Sequence, residues 1–90
     1  MAWYKEAKSK PHTVFVGRFR YICEPSKVHG GSIIITKVLD RIECDNYYDA
    51  CNMAHEICGL NGKGYACSIV PKGMLANSLS ASYVWCDANE

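Results

Sequence analysis

The chain has 90 residues, 49% of them hydrophobic, and a formal net charge of +1. That length supports a single domain with a modest core, and the apolar content is too high for a disordered tail. Apolar runs such as Ile33-Ile34-Ile35 fall far short of the roughly 20 residues that span a bilayer. The charge is unevenly placed: residues 1–37 hold seven Lys/Arg against two Asp/Glu (+5), and residues 38–90 hold three against seven (−4).

The N-terminus, Met1-Ala2-Trp3-Tyr4-Lys5-Glu6-Ala7-Lys8-Ser9-Lys10-Pro11, has lysines but no apolar stretch behind them. It does not read as a secretory signal, which predicts a reducing, cytoplasmic setting. Residues 1–12 are expected to be a tail or a short helix carrying Trp3 and Tyr4. In that setting the six cysteines, Cys23, Cys44, Cys51, Cys58, Cys67 and Cys86, are expected as buried thiols rather than a disulfide framework, because a thiol packs like a small hydrophobe.

Residues 13–23 are rich in β-branched and aromatic types and predict a strand. Glu24 to Gly31 carries proline and paired glycines and predicts a loop. Ser32 to Cys44 predicts a second strand, completing a hairpin. Asp45 or Asn46 is a fitting N-cap. From there Tyr47, Ala50, Cys51, Ala54, Ile57 and Cys58 form one apolar stripe at helical spacing, so a helix is expected over about 46–58, with Gly59 as its stop. A turn at 60–64, a third strand at 65–70, an irregular segment at 74–80 and a fourth strand at 81–86 complete the chain. The predicted class is α+β: an antiparallel sheet in ββαββ order with one main helix on one face, a single domain over 1–90.

Alternation along a strand sorts side chains to two faces. In the first strand Phe15, Phe19, Tyr21 and Cys23 share one face, and Val14, Val16, Arg18, Arg20 and Ile22 the other. In the second, Ile34, Thr36, Val38, Ile42 and Cys44 oppose Ile33, Ile35, Lys37, Leu39, Arg41 and Glu43. The first-named sets are expected beneath the helix. This turns Asp40 inward unless a bulge lies near Val38–Leu39. The helix-free face would then carry apolar residues among Arg18, Arg20 and Lys37. It must be covered by the N-terminal aromatics or the 74–80 segment, or serve as a docking or homodimer surface.

No catalytic constellation is legible. His12, His29 and His55 fall in a tail, a loop and a helix surface, with no motif joining any of them to a nucleophile. Zinc spacing is absent, since Cys44, Cys51 and Cys58 lie seven apart; Cys51, His55 and Cys58 on one helix leave a metal or redox module as a subsidiary reading. Val14-Phe15-Val16-Gly17-Arg18-Phe19 and Lys63-Gly64-Tyr65-Ala66 resemble the two short strand motifs of RNA-recognition-motif domains. The element order departs from that family, which requires a helix directly after the first strand.

The ββαββ order, the Cys44-Asp45-Asn46-Tyr47-Tyr48-Asp49-Ala50 helix entry and the glycine-rich exit into Tyr65–Val70 resemble the compact sheet-plus-helix inhibitors encoded by phages, anti-CRISPR proteins among them. The resemblance covers residues 13–70 and is architectural. It implies a non-enzymatic inhibitor, without cofactor or metal, acting in the host cytoplasm. Such a protein docks on a host protein or ribonucleoprotein such as a CRISPR-Cas effector and blocks nucleic-acid access. The binding residues expected from charge are Arg18, Arg20, Lys37 and Lys10. Direct RNA or DNA binding by the same cations is the alternative.

Overall fold

The computed structural model describes residues 9–23, 32–61 and 64–85. The possible N-terminal helix, the Glu24–Gly31 loop and Cys86 lie outside the described residues. The elements are β1 (His12–Cys23), β2 (Ser32–Cys44), α1 (Tyr47–Asn61), β3 (Tyr65–Pro71) and β4 (Ser82–Trp85). They form one antiparallel sheet in the order β2-β1-β3-β4, so the chain is an α+β fold in ββαββ order. α1 leaves the edge strand β2, passes over β1 and delivers the chain to β3.

α1 begins as its sequence requires. The Asn46 side-chain oxygen accepts from the Asp49 N–H at 2.8 Å, and Asn46 Nδ2 donates to the Asp49 carboxylate at 3.2 Å. This reciprocal cap satisfies an amide that the helix itself leaves open. The helix runs through Gly59 to Asn61, past the expected stop. Gly59 does not adopt the left-handed conformation; that falls to Gly64, with φ +89°.

The helix face of the sheet is the reverse of the one expected for β1. Ala50, Ala54 and Cys58 pack on Val14, Val16, Cys67 and Ile69, with Ile42, Cys44 and Val84 at the margins. The reason is size. A stripe of alanines and cysteines brings the helix axis close to the sheet, and β-branched side chains fill that thin layer where aromatic rings would hold it off. Phe19 and Tyr21 therefore lie on the opposite face, against Ile33, Ile35, Ala66, Tyr83 and Trp85. Ile42 and Cys44 are under the helix, as expected.

In β2 simple alternation fails twice. Val16 pairs with Asp40 but Gly17 with Val38, so Leu39 bulges; Arg18 pairs with Lys37 but Phe19 with Ile35, so Thr36 bulges. The first lies where a bulge was expected but does not turn Asp40, which pairs with Val16 on the helix-side face and is exposed there. Together they move Lys37 to the helix side and Val38 to the far side, while Ile33 and Ile35 stay on the far side. Gly17 lies between the bulges, and a Cβ there would stand 2.0 Å from the Lys37 carbonyl oxygen, so only glycine fits.

Part of the far face is covered by the chain itself, although Val38 on that face stays exposed. Residues 72–81 fold back over it. The Asn77 side chain accepts from the Ile35 N–H (2.9 Å) and donates to the Ile35 carbonyl (3.0 Å), pairing with the β2 backbone as a strand would. Tyr83 Oη also donates to Asn77 Oδ1 (3.3 Å), the buried Ser68 hydroxyl donates to the Ala76 carbonyl, and the Trp85 indole N–H donates to Tyr21 Oη at 3.1 Å. Of the alternatives expected for this face, cover by the 74–80 segment is the one observed, over a second core.

Asn77→Ala removes all three of its hydrogen bonds and strands both Ile35 backbone groups. A loss of about 1–3 kcal/mol is expected, read as a lower urea midpoint with an unchanged slope.

Candidate cationic docking site

β1 extends past the reach of α1, and the side chains that continue the Val14–Val16 face are Arg18 and Arg20. Both are exposed. The register between the two bulges sets Lys37 directly across from Arg18, and Lys37 is exposed as well. Three cations are thus gathered beside α1 on the helix side of the hairpin, not on the helix-free face. Arg18 lies over the Tyr65 ring, its guanidinium carbon 4.3 Å from the centroid, and Nη2 donates to Tyr65 Oη at 3.4 Å. Gly64 makes room for it, since a Cβ there would approach Arg18 Nη1 to 3.1 Å. Among the described residues Arg18, Arg20 and Lys37 form no ion pair. Like charges facing each other across a strand pair weaken the sheet, so this arrangement is held against a folding cost.

Lys10 does not join them. It is exposed just before His12, at the end of β1 that pairs with Cys44 and Pro71, on the order of 25 Å along the chain from Arg18. It serves the fold instead: its carbonyl accepts from His12 Nδ1 at 2.7 Å. His12, expected in a solvated tail, is buried and packs edge-on against Tyr47 at 5.4 Å. His55 is exposed on α1, as expected.

Opposite charge collects at the other end of the molecule. Glu43, Asp45, Asp49 and Glu56 line an open groove of about 380 Å³ together with Cys44, Asn52 and Met53. Burial, and then the negative charges of Asp49, Asp45 and Glu43, push the Cys44 thiol above its ordinary pKa. The charge asymmetry of the sequence is therefore a spatial one: cations toward the free end of the hairpin, carboxylates around the start of α1.

Cys51, His55 and Cys58 are not brought together. Cys58 is buried toward β3, while Cys51 is half-buried and borders a groove of about 400 Å³ between α1 and β4. Among the described residues no three His, Cys, Asp or Glu side chains converge on a point where a metal would sit, and no helix is long and apolar enough to cross a membrane. Tyr65 was not legible as a member of the cationic site, because pairing of Arg18 with it depends on the order of β1 and β3 in the sheet. The available signal was its place two residues after Lys63, at the start of a strand.

No family model matches this sequence, no curated protein matches it, and no solved structure matches its fold.

Two expectations follow from these charges. Lys37→Glu turns a repulsive cross-strand pair with Arg18 into an attractive one, so the variant should be more stable by about 1 kcal/mol, with the gain shrinking in high salt as the pair is screened; thermal melts at two salt concentrations measure this. Cys44, held protonated by its surroundings, should be alkylated by iodoacetamide only above the ordinary thiol range, and added salt should lower that midpoint by screening the three carboxylates. Mass spectrometry of the labelled peptide against pH reads both.

Proposed function

We propose that the chain is a small non-catalytic binding protein that docks through Arg18, Arg20 and Lys37 on an acidic surface of a larger host assembly. The observation that carries this reading is the gathering of three exposed cations, without a counter-ion among the described residues and at a cost to the sheet, around an arginine pre-oriented on Tyr65. Arginine fixed on an aromatic face loses little freedom on binding and anchors interfaces well. Charge of this kind governs how fast and how selectively a partner is met. The architectural resemblance to phage inhibitors makes a defence ribonucleoprotein such as a CRISPR-Cas effector the partner class, with obstruction of nucleic-acid access as the consequence. Lys10, at the far end of β1, is not included in this surface.

Arg20→Glu combined with Lys37→Glu tests the proposal without sacrificing the fold, since Lys37→Glu relieves repulsion. Tagged wild type should retain a specific assembly from nuclease-treated lysate of its native host. The double variant should bind that assembly on the order of 10- to 100-fold more weakly. Equal retention by the two proteins overturns the docking surface. Should binding instead vanish with nuclease treatment, and naked RNA or DNA shift the protein at low salt with a steep salt dependence, the cations act directly on nucleic acid.

A further inference from the structure

The centre of the first core contains two sulfurs in contact. Cys58, in the last turns of α1, and Cys67, in the middle of β3, place their Sγ atoms 3.7 Å apart. Cys58 is 2% exposed and Cys67 fully buried. Each thiol also has a backbone acceptor: the Val84 carbonyl lies 3.4 Å from Cys58 Sγ, and the Ala54 carbonyl 3.7 Å from Cys67 Sγ. The cysteines are nine positions apart in sequence, on elements joined by a turn. A bond between them would tie the end of the helix to the sheet beneath it.

We propose that Cys58 and Cys67 are an oxidative modification site, a dithiol that hydrogen peroxide converts to a disulfide within the folded protein. The sulfurs must approach by about 1.7 Å to reach the bonded distance. Cys58 is the attacking thiol. It is the less enclosed of the two, and its hydrogen bonds with the Cys67 side chain and backbone draw its pKa down against the opposing effect of burial. Thiolate character and access select the site of oxidation.

The steps balance. The Cys58 thiolate attacks one peroxide oxygen, the O–O bond breaks, and the departing hydroxide takes up the Cys58 proton as water, leaving Cys58 as a sulfenic acid. The Cys67 sulfur, giving up its proton, then attacks the Cys58 sulfur. The S–S bond forms, the S–O bond breaks, and the hydroxyl leaves with that proton as a second water. Two thiols lose two electrons, and one peroxide becomes two waters. Because the reacting partner is already in contact, ring closure competes well with further oxidation of the sulfenic acid. Cys44 and Cys51 line separate grooves on the flanks of α1, and neither has a sulfur neighbour among its hydrogen bonds.

The cross-link closes a short loop, which restricts the unfolded chain; a rise in Tm on the order of 10 °C is expected for the oxidised form. Purified wild-type protein treated with stoichiometric peroxide, alkylated and digested with trypsin tests this. Fragment 42–63 carries Cys58, and fragment 64–72 carries Cys67 as its sole cysteine. The expected product is the two fragments joined, lighter by two hydrogens, returning to separate fragments on reduction. The Cys44→Ser, Cys51→Ser double variant should give the same joined product, which assigns the bond to Cys58. The oxidised protein should melt above the reduced one. Linkage of Cys67 to another cysteine, conversion of Cys58 to sulfinic acid without linkage, or a joined form that melts at or below the reduced protein overturns the proposal.

Discussion

The close approach of β1 and β2 at Gly17 is the constraint on which the rest of the structure turns. A side chain there would collide with the Lys37 carbonyl, and the two bulges of β2, at Leu39 and Thr36, flank the same point. Bulges sharpen the local twist of a strand pair. The hairpin is therefore two segments with different duties. Its first half is sheet under α1, with Val14, Val16 and Ile42 in the first core. Its second half turns so that Ile33, Ile35, Phe19 and Tyr21 meet Ala66, Tyr83 and Trp85 across the other face. A chain of this size has one substantial helix to offer as cover. The second face gathers its own cluster, and residues 72–81 cover part of it.

Much of the fold was legible in the sequence because the relevant signals are local. The Asn46 cap and the alanine–cysteine stripe of α1 each rest on a few neighbouring residues. The assignment of faces was not legible in β1. Both of its faces are apolar, so alternation divides the side chains into two sets without saying which set meets the helix. That choice depends on the thickness of the helix layer, set by Ala50, Ala54 and Cys58, and on the β2-β1-β3-β4 strand order, which brings Cys67 and Ile69 beside Val16 and Val14. The Thr36 bulge was hidden for a similar reason. No polar residue is misplaced without it, yet only with both bulges does Lys37 change face while Ile33 and Ile35 keep theirs. The cationic site was therefore legible in its members Arg18, Arg20 and Lys37 but not in its location, and Lys10 was grouped with them by charge when the strand separates them.

The distribution of charge sharpens the contrast between what serves the fold and what does not. Arg41 and Glu43 make a surface pair at 3.7 Å, and Glu43 also accepts from Thr13, its partner in the β1–β2 register. An exposed pair of this kind contributes little, but it is internally consistent. Arg18 and Lys37 are not: they face each other with the same sign. Arg18 is partly compensated by the Tyr65 ring, a contact that contributes about 0.5–1 kcal/mol at exposed sites. Lys37 has no such partner among its hydrogen bonds. A sheet selected for stability alone would place a carboxylate at one of the two positions, as it does at Glu43. The exception sits where the hairpin leaves the shelter of α1, which is the part of the fold that can change its surface chemistry without disturbing either core.

The edges of the sheet bear on how a partner would engage. An edge strand offers unpaired amides and carbonyls to any passing strand, and proteins commonly block that offer with charge, bulges or covering segments. β2 uses all three. Asn77 occupies the backbone groups of Ile35, the bulges at Thr36 and Leu39 break the ladder, and Lys37, Asp40, Arg41 and Glu43 stud what remains. β4, at the other edge, is four residues long. Strand addition, whether by a second copy or by an extended peptide, is therefore poorly served on either side. Recognition through side chains is better served at Arg18, which projects from the part of β1 paired on both sides, by β2 and by β3, whereas Arg20 is paired with β2 alone and Lys37 stands on the edge strand. A side chain fixed on a doubly paired strand holds its geometry when another molecule approaches it.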